Sequence, residues 1–251
     1  WAATSPLPAA SSAPKPSPAH TPPRSADIRI GSTERPRLPK RLAALDLSPD
    51  DFVDGTSLSD VEINGAQLTG TQTQSFQLEK SRLVKVNLTD GRLPRFHVSG
   101  SELAECNLSN LKMPDCAFRR SVFEQNKMTG INATGGTFGD TEFANCVIDF
   151  ALFARVKFKG VTFRNCQMRD VDFSDTTLER ILFIDCDLAR ASFDRVRVTE
   201  SEMRRCTLTG LRGIGQLNGM AMEWSDILAH ADLFAAGLGI SIALGTGEEA
   251  V

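Results

Sequence analysis

Five cysteines stand at Cys106, Cys146, Cys166, Cys186 and Cys206, spaced by twenty or forty residues, and the sixth is Cys116. Thiols in that number could hold a metal or run redox chemistry, yet the chain has no CxxC or CxxxC spacing of a zinc site. Its three histidines, His20, His97 and His230, are scattered, so nucleophile, base and orienting group cannot be assembled from them. Gly135-Gly136 and the run Leu211 to Gly219 are rich in glycine, but neither has the strand-then-helix context or the Lys-Ser/Thr of a phosphate loop. The expectation is therefore no catalytic residue, no cofactor and no metal, and a chain that is not an enzyme.

The same residues make sense as parts of a repeat. Every fifth residue from Leu58 to Leu208 is large and apolar, Thr73 and Ala133 excepted. Two residues before each lies a second register, mainly small or β-branched, as at Ala66, Val86, Ser121, Ala151, Val161 and Val171. Neither regular element tolerates this period. Five residues turn an α-helix by about 500°, which scatters the large residues around the cylinder. In a straight strand an odd period points successive units to opposite faces. The backbone must bend once per unit, and four bends near 90° close a square coil of twenty residues, with like slots stacked about 4.8 Å apart.

The cysteines test this arithmetic. The five at twenty- and forty-residue spacing fall in one column modulo twenty, interrupted by Asn126, and a second column is rich in hydroxyls: Ser81, Ser101, Ser121, Thr141 and Ser201. In inward small slots the thiols act as compact hydrophobes. Stacked side chains would also keep their Cβ atoms about 4.8 Å apart, beyond the roughly 3.5–4.5 Å of a disulfide.

Units such as Cys106-Asn107-Leu108-Ser109-Asn110 resemble the A(D/N)LXX pattern of the pentapeptide-repeat proteins. The resemblance implies an all-β solenoid, a right-handed quadrilateral β-helix, closed by a C-terminal α-helical cap. About 7.75 coils give a rod roughly 37 Å long. Around the repeat at 56–210 we expect a disordered Pro/Ala/Ser-rich tail at 1–27 and a capping segment at 28–55, with Ser48 before Pro49 opening a single helical turn. At 211–242 we expect a cap with an amphipathic helix of about four turns. Trp224, Ile227, Leu228, Phe234 and Leu238 define its apolar face, and a flexible tail follows at 243–251. The chain opens on Trp1 and not on Met, which leaves a removed targeting segment open.

Charge is nearly balanced, with 28 basic and 31 acidic residues, and no apolar run approaches a membrane span. A soluble, cytoplasmic protein with no direct nucleic-acid ligand is expected. Some members of the family inhibit and protect DNA gyrase by resembling B-form DNA, which requires dense negative charge. The best acidic stripe here is Glu62, Glu102, Glu105, Glu124 and Glu142, on a wall with no basic residue between Lys85 and Arg164. An adjacent wall holds Arg119, Arg120, Lys157 and Lys159, and Phe150, Leu152, Leu182 and Ile184 fall on outward slots as a small apolar patch. The resemblance implies a protein partner, a type II topoisomerase such as gyrase or topoisomerase IV, engaged as a partial DNA mimic in antibiotic protection. It also implies a homodimer through the C-terminal end. A structural or scaffolding repeat with no topoisomerase role stands beside that reading.

Overall fold

The computed structural model describes residues 35–243. The tail expected at 1–27, the start of the capping segment and residues 244–251 lie outside the described residues. The described chain winds as a four-sided β-solenoid. Wall A carries the large slots Ile63 to Met203 in a ten-stranded parallel sheet, and wall B carries Leu58 to Val198 in an eight-stranded one. Wall C (Leu68 to Leu208) and wall D (Thr73 to Phe193) are held by single bridges such as Gln67↔Asn87 and Gln72↔Arg92. Register follows the twenty-residue step, with Phe143 opposite both Phe123 and Phe163.

The bend once per unit has a backbone cause. Each final-slot residue from Asp60 to Gly210 except Ser75 sits at positive φ, which turns the chain from one wall to the next. Asn, Asp and Gly suit that left-handed conformation, whereas bulky residues adopt it at a cost. Phe150, at φ 59, is the one aromatic residue among them.

Inward slots fill the core with stacked rings. Phe123, Phe143, Phe163 and Phe183 stack at 4.6, 4.8 and 5.2 Å on wall A. Each fully buried ring contributes roughly 1.5–3 kcal/mol of transfer free energy. On wall B the stack changes slot. Phe52, Phe76 and Phe96 form its lower part, and the Phe96 ring meets Phe118 edge-on at 5.5 Å. Phe76 and Phe96 occupy the nominally small slot and are followed by Leu78 and Val98. Above them Cys116 and Gly136 occupy it beside Phe118 and Phe138. Gly136 has no alternative, because a Cβ there would lie 2.8 Å from Cys116 Sγ and 2.9 Å from the Ala133 carbonyl oxygen.

The coil runs about nine turns, longer than the 7.75 expected, because chain without the period is recruited at both ends. Ala43–Ala44 pairs below Val61 and Glu62. Met220–Met222 pairs above Ser201–Met203, with Ser201 opposite Met220, one residue short of the regular step. At the start, Ser48 N–H and Oγ donate to Asp51 Oδ2 at 2.8 and 2.7 Å around the turn Pro49–Asp51.

The C-terminal helix differs from expectation. Instead of one helix there are two, α1 (Trp224–Ala229) and α2 (Ala231–Gly237), with His230 between them at φ −123. Two tethers to the open edge of the last coil account for the break. Asp226 Oδ2 accepts the Arg205 N–H at 2.7 Å, and His230 leaves helical geometry to bring Nε2 within 3.2 Å of the Cys206 carbonyl oxygen. Both backbone groups would otherwise end the ladder unpaired.

Candidate interaction surfaces

Wall A positions the five glutamates through its register. Glu62 and Glu102 lie below and above Arg82 in one column, and Arg82 reaches both, at 3.4 and 3.0 Å. Lys85 sits 3.7 Å from Glu105, and Arg164 sits 3.8 Å from Glu142 on the neighbouring rung. Glu124 meets Arg35 at 3.8 Å and accepts a 2.8 Å hydrogen bond from Asn145 Nδ2. Every glutamate of the stripe therefore has a cation within reach, and the wall is not a bare row of negative charge. Half-exposed pairs of this kind add little stability, about 0–1 kcal/mol each. Their effect is to lower the field that the wall presents.

The four outward apolar residues do not form one patch. Phe150 and Leu152 are 58% and 42% exposed at the edge between walls C and D. Leu182 and Ile184 belong to wall A, where Ile184 is only 7% exposed. A twenty-residue coil separates positions thirty-two apart by more than half a turn, which single-column reasoning overlooks. On wall B, Lys159 pairs with Glu179 at 2.8 Å.

Sequence reasoning also passed over a set of ion pairs. Arg190, Arg195 and Arg205 each cap an aspartate one rung below, Asp170, Asp175 and Asp185, through Nε and Nη2 at 2.6–3.0 Å. These hydrogen bonds hold the three carboxyls below their usual range. The signal was available, since final slots share corners and each Arg follows its Asp by one coil. On wall C, Arg169 clamps the nearly buried Asp149 in the same way.

The thiol column is core. All six cysteines are free and buried. Each column thiol lies near carbonyls, as Cys146 Sγ does at 3.3 Å from Ala144 O. Burial pushes the Cys106 thiol up to about 11. The next thiol down the column, followed by burial, pushes Cys166 and Cys186 up to about 12. Asn126 fits the column because Oδ1 accepts the Cys106 N–H at 2.7 Å and Nδ2 donates to Leu103 O at 2.8 Å.

At the C-terminal end, Trp224, Leu228 and Leu238 are 70%, 58% and 74% exposed, while Ile227 and Phe234 are half-buried. The last two line an open apolar groove of about 470 Å³ with Ile214, Leu217, Met220 and Met222.

Residues 136–212 match the family model described as a pentapeptide repeat region. No curated protein matches the chain. Among solved structures, it is similar to HetL, a pentapeptide repeat protein involved in heterocyst differentiation regulation from the cyanobacterium Nostoc sp. Strain PCC 7120. Identity is 13% over 63% of this chain and 85% of that one, with a TM-score of 0.39. It is likewise similar to full-length QnrB1, a plasmid-mediated fluoroquinolone resistance protein, at 13% identity over 80% of this chain and 99% of that one, with a TM-score of 0.42. With a five-residue unit that bends the backbone, a twenty-residue register and a family model matched on the same repeats, residues 136–212 are a pentapeptide repeat region, and the same unit runs from Leu58 to Leu208.

Proposed function

We propose that the chain is a non-enzymatic docking rod that binds a protein partner along its walls and pairs with a second copy through its C-terminal cap. One observation carries the reading: the thiols lie in the interior, and the outward slots carry mainly polar side chains. The exposed Trp224, Leu228 and Leu238 support the pairing, because a second copy would take these large apolar side chains out of water. Light scattering tests it: Trp224→Glu with Phe234→Glu should bring a dimeric mass down to that of the monomer. An unchanged mass for folded parent and variant would remove the cap as the interface. A cytoplasmic setting belongs to the same proposal and suits six free thiols.

The partner implied by the repeat resemblance is a type II topoisomerase, met by the glutamates of wall A. Arg35, Arg82, Lys85 and Arg164 shield those glutamates, so this version needs the partner to compete with cations already in place. Supercoiling by purified gyrase, titrated with the protein, is the test. Inhibition that disappears on charge reversal at Glu102, Glu105 and Glu124 supports it. No change at micromolar concentration removes the topoisomerase and leaves a docking rod for another partner.

A further inference from the structure

The residues before the first coil form a strap on the outside of the rod. Ala43 lies on the lowest rung, one below Val61, whereas Arg35, eight residues earlier, reaches Glu124 four rungs above Ala43. At about 4.8 Å per rung the strap rises roughly 19 Å along the corner between walls B and A. Between strap and corner lies a cleft of about 370 Å³. Four cations line it: Arg35 and Arg37 from the strap, Lys80 and Arg120 from the corner. The one carboxylate in the lining, Glu79, pairs with Lys80 at 3.2 Å. The guanidinium groups of Arg37 and Arg120 have no ion-pair partner among the described residues.

Like charges gathered around a cavity oppose their own convergence unless an anion joins them. The corner column runs Lys80, Gly100, Arg120, and Gly100 puts no side chain between the two basic residues, where a Cβ would lie 3.7 Å from Lys80 Cγ. Arginine forks suit phosphate oxygens, because two N–H groups meet two oxygens at once. The volume sits at the small end of ligand sites, matching a chain of phosphates more than a whole nucleotide.

We propose that this cleft binds a polyphosphate group, and that the bound anion staples the strap to the rod by joining Arg35 and Arg37 to Lys80 and Arg120. The group can come from an inorganic polyphosphate or from a nucleoside triphosphate. Since the cleft reads phosphates alone, the two sources should bind alike.

The test is calorimetric titration of the full chain with sodium triphosphate, ATP and a short DNA duplex at low salt. Saturable binding of triphosphate and ATP with similar affinity is expected, weakening as salt is raised. Arg37→Ala and Arg120→Ala should each weaken it by about tenfold. Gly100→Asp should abolish it, and the fold accommodates that change because Asp60 and Asp140 hold the same left-handed conformation on the same corner. Arg119→Ala, on wall B outside the cleft, should bind as the parent does. Triphosphate should also slow tryptic cleavage at Arg37 in the parent and not in Gly100→Asp. Absence of saturable heat with triphosphate, binding indifferent to Arg37→Ala, ATP bound without triphosphate, or duplex binding lost with Arg119→Ala would each overturn the proposal.

Discussion

The upper and lower halves of the rod solve the same packing problem differently. Above Phe118 the large slots of walls A, B and D carry aligned phenylalanine stacks, and three corners carry aspartates capped by arginines from the next rung. Below Phe118 the stack runs through the small slots of wall B, a Thr replaces a large residue at Thr73, and one arginine serves two glutamates. The irregular half is the one crossed by the strap. A one-dimensional stack tolerates this because each rung depends mainly on its neighbours.

The largest effect should come from the regular half. Phe163, fully buried between Phe143 and Phe183, should cost about 3–5 kcal/mol when changed to Ala. Phe76→Ala should cost less in global denaturant unfolding and show as local loss of hydrogen-exchange protection below Phe96. Equal global losses at the two positions would erase the distinction between the halves.

Asn126 marks where the lower half ends on the thiol column. Asn126→Ala strands the Cys106 N–H and the Leu103 carbonyl and should cost about 1–3 kcal/mol. Asn126→Cys, which extends the column, should recover part of that loss in the same denaturation measurement. No recovery would mean that the column has no preference for a thiol there.

Much of the coil was legible because inward slots must repeat, whatever the outward ones do. Phe143, Phe163 and Phe183 could be placed in one file by counting twenties. What escaped involves contacts off that count. Arg35 reaches Glu124 from a segment with no period, so the glutamate looked unpaired. The spacing of Trp224 to Leu238 suits one helix, and only the tethers from Asp226 and His230 to the last rung explain two. The extra rungs at Ala43–Ala44 and Met220–Met222 come from sheet edges capturing aperiodic chain. The Asp–Arg corner pairs were on the count and simply went unread.

The smallest effect concerns those pairs. The folded-state pKa values of Asp170, Asp175 and Asp185 are lowered by the arginine hydrogen bonds. Their stabilisation is therefore present above the unfolded-state value near pH 3.9, and it is lost as pH falls through the lower folded values. Melting temperature followed from pH 6 into the acid range should fall more for the parent than for a variant carrying Arg190→Gln, Arg195→Gln and Arg205→Gln. Parallel acid profiles would show that the corner pairs add nothing to the upper half.

The central claim is that each twenty residues advance the chain by one rung along a straight rod, and pulsed electron spin resonance measures it directly. The native thiols are buried, so nitroxides attach at introduced cysteines on one outward column of wall B. Ser57→Cys with Lys157→Cys spans five rungs, about 24 Å, and Ser57→Cys with Arg197→Cys spans seven, about 34 Å. Two narrow distributions separated by about 10 Å are the expected result. Broad or equal distances for the two pairs would contradict it.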